Sequence, residues 1–276
     1  MNFSQVSRKI IKGSILMRAK LLNNGINAFW WAKTKNFGDL LTPEIFNTYG
    51  YTSINTSADT ADIIAVGSLI EMLPQDYKGI ILGTGLMYDK PRELPAAKFV
   101  SVRGELTKSN LQLSTETLTG DLGLLAKFLI LKQNKKYTIG LIPHYVDKQH
   151  PWIKTIKNFL GSKGYVIDVQ DSAKNVTKNI SMCELIISSS LHRIIVADSL
   201  NIPNVWIELS DKVAGAGFKF WDYNSSIDYE QPPLKVNSLT SMTNVEAMIS
   251  QKNYKSINNK CHELEKIIRS TLASTK

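Results

Sequence analysis

The strongest constraint on the fold is a series of short, unbroken apolar bursts, each ending in small or glycine-bearing sequence. They are "INAFWWA" (26–32), "ADIIAVGSLI" (61–70), "KGIILGTGLM" (78–87) and "AKFVSVRG" (97–104), with helical stretches between them. Continuous rather than alternating apolar runs of this length fit strands buried on both faces, the pattern of a parallel sheet covered by helices. After the lysine-rich "ILKQNKKY" (130–137) the pattern restarts with "YTIGLIPHYVD" (137–147), "YVIDVQ" (165–170) and "CELIISS" (183–189). The reading is therefore α/β, with two Rossmann-like domains at 1–132 and 133–276 and a linker near 130–136. Two such domains facing each other make a central cleft lined by the carboxyl ends of strands, where folds of this kind bind ligands.

Composition narrows the partners. A formal charge of +9 suits an anionic partner: nucleic acid, acidic lipid or a phosphorylated small molecule. Lysines are dispersed and no zinc-finger or RNP-like signature is present, so nucleic acid is the weakest of the three. No run of about eighteen apolar residues is long enough for a membrane span, and the N-terminus lacks a signal peptide's apolar centre, so the expected location is the cytoplasm. Cys183, Cys261 and four scattered histidines show no metal-ligand spacing, which predicts neither a disulfide framework nor structural zinc. Residues 5–22, basic with interspersed Ile and Leu, fit a terminal helix packed on the core or an amphipathic helix on the inner face of the plasma membrane.

Chemistry-bearing residues gather where the bursts end. In "CELIISSSLHRIIVADSL" the strand stops near Ile187, Ser188, Ser189 and Ser190 are placed to cap the next helix, and His192 falls in its first turn. A capped helix N-terminus offers N–H groups to a phosphate or carboxylate, while the alternative is a plain capping run with an incidental histidine. Arg103 follows a strand end, with either a bidentate grip on an anion or an ordinary ion pair open to it. In "KTKNFGDLLTPEIF", Asn36, Gly38 and Asp39 occupy a turn before a helix expected to begin near Thr42 and Pro43. There Asp39 is a cap or a base for a hydroxyl proton. Gly67 and Ser68, and Gly83 and Gly85, are glycine-bearing strand ends that let backbone approach a ligand closely without forming a dinucleotide fingerprint, and Gly120–Asp121 is either a turn or a cleft-facing pair. "SDKVAGAGFKFWDYNSS" adds Lys212 and Lys219 as cations and Trp221 as a face for a sugar ring or a packing residue.

In order along the chain, "NFGDLLTP", "SVRGELT", "TGDLGLL", "IPHYVD", "SSSLH" and "IPNVWIELSDKVAGAGFKFWDY" resemble the polysaccharide pyruvyl transferase family. The resemblance implies a fold like that of GT-B glycosyltransferases. It also implies transfer of the pyruvyl group of phosphoenolpyruvate to a glycan or lipid-linked oligosaccharide acceptor. The product is a pyruvate ketal, made during bacterial capsule, exopolysaccharide or cell-wall polymer synthesis. No cofactor and no metal are implied. The family's catalytic positions fall on His192, Arg103 and Asp39, with Asn36 in the same turn and His144 in the "IPHYVD" motif. Arg193, Leu122 and Ser68 depart from the usual pattern, where glycine, Gly-Asp-Pro and a glycine-rich strand end are common. The competing reading is a GT-B-type transferase using a nucleotide sugar.

Overall fold

The computed structural model describes residues 3–32 and 37–275. The first half runs α1 Phe3–Leu22, β1 Gly25–Phe29, α2 Phe37–Thr48, β2 Thr52–Asn55, β3 Ile63–Ile64, β4 Ile80–Leu82, β5 Lys98–Val102, α3 Glu105–Asn110 and β6 Leu118–Thr119, then a 3-10 helix at Leu122–Leu129. The second half runs β7 Tyr137–Ile142, α4 Pro151–Leu160, β8 Gly164–Val166, α5 Ala173–Ser181, β9 Cys183–Ser188, α6 Leu191–Ser199, β10 Asn204–Glu208, α7 Phe218–Ser225, β11 Leu234–Lys235, α8 Met242–Glu246 and α9 Tyr254–Ser274.

Two sheets form, in the orders β2-β1-β3-β4-β5-β6 and β11-β10-β9-β7-β8. All their pairings are parallel: Ala28 sits opposite Ile63 between β1 and β3, and Ile139 opposite Leu185 between β7 and β9. Counted within its own half, each sheet has the doubly wound order 2-1-3-4-5, the first with a sixth strand added. Each therefore reverses winding direction once, between β1 and β3 and between β7 and β9. The strands are shorter than the apolar bursts that signal them. After Ile64 the chain leaves the ladder, and Gly67, at φ 126°, turns it toward the cleft in a conformation that only glycine adopts freely.

The helices follow from spacing and caps. In α5, Ser172 caps by accepting from Asn175 N, and Ala173, Val176, Thr177 and Ile180 form the buried face at helical period. In α9 the same period buries Ile257, Cys261, Leu264, Ile268 and Leu272. One expectation is corrected. The helix α2 begins at Phe37, not near Thr42, and carries Pro43 inside it. Six residues into the helix, Pro43 removes the bond to the Asp39 carbonyl, a cost that burial of Leu41, Ile45 and Phe46 on the same helix offsets. The helix α1 continues through Gly13.

All nine residues of α6 are buried, and one apolar cluster joins Ile26, Leu41 and Ile63 of the first half to Ile142, Ile186 and Ile195 of the second. The last helix, α9, reaches back to the first half: Lys127 Nζ lies 3.4 Å from Asn258 Oδ1, and the Arg269 guanidinium lies over the Tyr49 ring at 4.7 Å. The halves thus share a core, and the space between their strand ends is shaped before any ligand arrives.

Candidate active site

A cavity of about 290 Å³ opens where the two reversal points meet. The first sheet contributes Trp31 and Asp39 after β1 and Ser68 after β3; the second contributes His144 after β7 and Ser190, His192 and Arg193 after β9. Lys212 and Lys219 close it from the segment that follows β10. A ligand at a reversal point is expected of one doubly wound sheet; here two sheets aim theirs into one space.

The start of α6 is built differently from expectation. Ser190 stands at the N-cap position but makes no capping bond; its Oγ accepts from Arg193 Nη1 at 2.6 Å. Ser188 Oγ instead donates to Ile142 O at 2.8 Å and accepts from Ser190 N at 3.0 Å, tying β9 to β7. Ser189 Oγ accepts from His144 N at 2.8 Å. Of the three serines, Ser190 alone lines the cavity, and the other two fix the loops around it. Arg193 is buried, donates to Val169 O at 3.1 Å and lies over the Phe37 ring at 4.8 Å.

Arg103 is fully buried and outside the cavity lining. Its Nε donates to Asp222 Oδ2 at 2.7 Å, its Nη1 to Ser68 Oγ at 2.6 Å and its Nη2 to Leu86 O. The Asp222 carboxylate also accepts from Thr107 N at 2.7 Å and Thr107 Oγ1 at 2.6 Å. Two glycines make the room: a Cβ on Gly85 would come within 2.5 Å of the guanidinium carbon, and one on Gly104 within 1.6 Å of the Asp222 carbonyl oxygen. Arg103 meets the cleft only through Ser68.

His192 packs against the start of α2, where a Cβ on Gly38 would fall 2.2 Å from its Nδ1. Its Nε2 faces Asp121 Oδ2 at 3.9 Å, and neither atom has a hydrogen-bond partner. Asp121 Oδ1 accepts from Gly123 N at 2.7 Å. Burial, then the charges of Arg193, Arg103 and Lys219, holds the His192 imidazole well below its usual value. Burial raises the Asp121 carboxyl to about 7. Buried without partners, such groups cost roughly 1–3 kcal/mol each, so this end of the site is held in a state that favours ligand or proton.

Other cleft groups are tuned the same way. Burial, with Arg103 and Arg193 nearby, lowers Lys219 to about 8, and burial with Lys219 and Arg193 lowers His144 to about 3. His144 is therefore neutral across the physiological range.

The structure thus brings Asp39, Ser68, His144, Ser190, His192, Lys212 and Lys219 together. It sets Asp121 and Arg103 behind that wall, and Gly67 beside Asp39, whose Oδ1 would lie 3.2 Å from a Cβ there. At φ 74°, Gly83 turns the chain against Leu122, away from the cavity lining. Trp221 stands edge-on to Trp206, centroids 5.7 Å apart, away from the cavity. Asn36 lies outside the described residues. Asp222 was not anticipated, since nothing near it in sequence signals a partner 119 positions away. Arg193 had a signal: a basic residue inside the apolar "LHRIIVADSL" needs buried acceptors.

Fold and site define an α/β protein of two doubly wound halves that share one cation-lined cleft. The chain belongs to the polysaccharide pyruvyl transferase family, whose sequence pattern matches residues 18–211. It is 25% identical over 236 residues to the succinoglycan biosynthesis protein ExoV of Rhizobium meliloti, covering 80% of this chain and 70% of that one. It is also 36% identical over 167 residues to an uncharacterized protein of Acanthamoeba polyphaga mimivirus. That match covers 56% of this chain and spans 57% of the viral protein's length. A crystal structure of an uncharacterized Klebsiella pneumoniae protein aligns with a TM-score of 0.45 at 16% identity, over 86% of this chain and all of that one. Family membership supports a pyruvyltransferase role.

Proposed function

We propose that the protein transfers the pyruvyl group of phosphoenolpyruvate to a sugar of a capsular, exopolysaccharide or cell-wall glycan precursor, closing a pyruvate ketal on two hydroxyls. The observation that carries the reading is the composition of the shared cleft: Arg193, Lys212 and Lys219 around a histidine and a carboxylate. A donor with a phosphate and a carboxylate needs several cations, and ketal formation needs one acid and one base.

In this reading the cations hold the donor. His192 gives a proton to the methylene carbon, and the adjacent carbon becomes cation-like. A sugar hydroxyl adds to that carbon and loses its proton to Asp39. The carbon–oxygen bond to phosphate breaks, phosphate leaves with the electron pair, and a second hydroxyl of the same sugar adds with loss of its proton. Arg103 serves from behind, holding Ser68 at the cavity wall. By analogy with GT-B enzymes, the acceptor is put on the first half and the donor anion on the second, where α6 and Lys219 lie.

The acceptor is assigned to a lipid-linked oligosaccharide at the cytoplasmic face of the membrane. Support comes from α1, which exposes Ile11, Leu16, Met17 and Leu21 alongside Arg18 and Lys20. Such a face suits the surface of an anionic bilayer. Among the described residues no helix is long and apolar enough to cross a membrane.

Calorimetric titration with phosphoenolpyruvate and, separately, with uridine diphosphate tests the donor. Binding of phosphoenolpyruvate that is weakened in Lys219→Gln supports the reading. Binding of the nucleotide alone transfers the assignment to sugar-nucleotide chemistry.

A further inference from the structure

His192 has two ring nitrogens in different surroundings. Nε2 is buried and points at Asp121, which lies behind the cavity wall; Nδ1 packs against Gly38, where any side chain would collide with it, on a ring that lines the cavity. Asp121 is anchored by one oxygen only, through Gly123 N, and its other oxygen faces Nε2 with no partner. Two buried polar atoms that face each other and nothing else are complementary when one proton lies between them. At 3.9 Å they stand about 1 Å beyond hydrogen-bond length, a distance that a small rotation of the ring or carboxyl closes.

We propose that Asp121 is the positioning residue of His192: the pair holds one proton between Oδ2 and Nε2, and Asp121 thereby fixes Nδ1 as the nitrogen that meets the reacting group. This rests on the pyruvyl-transfer reading only for the identity of that group. In the empty cleft the proton resides on Asp121, because burial, and then the charges of Arg193, Arg103 and Lys219, opposes an imidazolium, while burial opposes a carboxylate. An arriving anion offsets those cations. The carboxyl proton then passes to Nε2, the imidazolium forms, and the proton on Nδ1 is the one given to the donor's methylene carbon. The ring is left neutral with its remaining hydrogen on Nε2, bonded to the Asp121 carboxylate. The pair regains its proton from solvent, which also receives the proton Asp39 takes from the hydroxyl.

The charged and titratable groups around the pair come from every neighbouring element. They are Asp39 on α2, Arg103 after β5, neutral His144 after β7, Arg193 on α6 itself, and Lys219, Asp222 and Tyr223 on α7. None of them changes between Asp121→Asn and the wild type, and asparagine retains an oxygen for Gly123 N.

The test is nuclear magnetic resonance on the full chain with ¹⁵N-labelled histidine and ¹³C-carboxyl aspartate, with His192→Gln assigning the ring signals. In the wild type the His192 nitrogens and the Asp121 carboxyl carbon share one ionisation near neutral pH, and inorganic phosphate moves the Nε2 signal toward its protonated position. In Asp121→Asn that ionisation disappears from His192. Two unrelated midpoints in the wild type, or an unchanged His192 curve in the variant, overturn the proposal. These arms require no turnover, so they stand apart from the donor assignment. In a transfer assay Asp121→Asn lowers kcat roughly 10²–10⁴-fold and displaces its pH profile while the donor KM stays nearly constant. A raised KM with an unchanged profile points to a merely structural role and overturns it as well.

Discussion

Arg103 and Asp222, 119 positions apart, meet in a 2.7 Å ion pair with neither side chain exposed, joining the end of β5 to the helix that closes the cleft. Every hydrogen bond of this cluster is internal, with Ser68, Leu86 and Thr107 completing it. The pair sets where α7, and so Lys219, stands relative to Ser68.

Removing one partner leaves an uncompensated buried charge, which costs about 3–5 kcal/mol. Asp222→Ala should therefore lower stability by that amount in urea unfolding. Arg103→Lys should fail to restore it, because one ammonium cannot reach the separate acceptors that the planar guanidinium spans.

Anion binding should depend on pH through Lys219. With its pKa lowered to about 8, the ammonium is present at neutral pH and lost as pH rises through 8. Affinity for phosphoenolpyruvate, measured by calorimetry, should hold near pH 7 and fall between 7.5 and 8.5, approaching about tenfold per unit above that. Lys219→Gln should bind more weakly and lose this limb.

Much of this architecture was legible because it is local. Each apolar burst marks a strand, and the residues that follow β1, β3, β7 and β9, namely Asp39, Ser68, His144 and His192, do reach one cavity, since the reversal points place those strand ends together. What was not legible depends on distant contacts. Asp222 is defined by Arg103, and the role of Ser190 by Arg193, whose guanidinium takes the oxygen that a helix cap would use. The start of α2 was misplaced because Pro43 is a common first-turn residue, and the helix tolerates it six residues further in. Trp221 carries the chemistry of a sugar platform but is held by Trp206.

The pH dependence of stability should separate the cleft's titrating groups by sign. His144 and His192 are held below their unfolded values, so their contribution is present above pH 6.5 and lost as pH falls. Asp121 is raised, so its contribution is full below its unfolded value and lost as pH rises toward about 7. Between pH 4.5 and 6 His144, held at about 3, and Asp121, raised to about 7, offset each other at about 1.4 kcal/mol per pH unit each, and His192 adds a rise in the same direction as His144. Asp121→Asn removes the opposing member, so the slope from urea titrations should steepen by about the same amount.

Membrane contact should reside in α1. Full-length protein should float with vesicles containing anionic lipid, and replacement of Leu16, Met17 and Leu21 by serine should abolish flotation without altering unfolding of the remainder, since these side chains are exposed. Undiminished flotation of the variant would remove α1 from the account.

The most direct measurement is transfer itself. Purified protein is incubated with phosphoenolpyruvate and a panel of lipid-like glycosides, with nucleotide sugars in parallel, following phosphate release and acceptor mass. The expected product is an acceptor heavier by one pyruvate ketal, formed with release of phosphate and absent in His192→Ala. Transfer of a sugar from a nucleotide donor, or ketal formation that persists undiminished in His192→Ala, would contradict it.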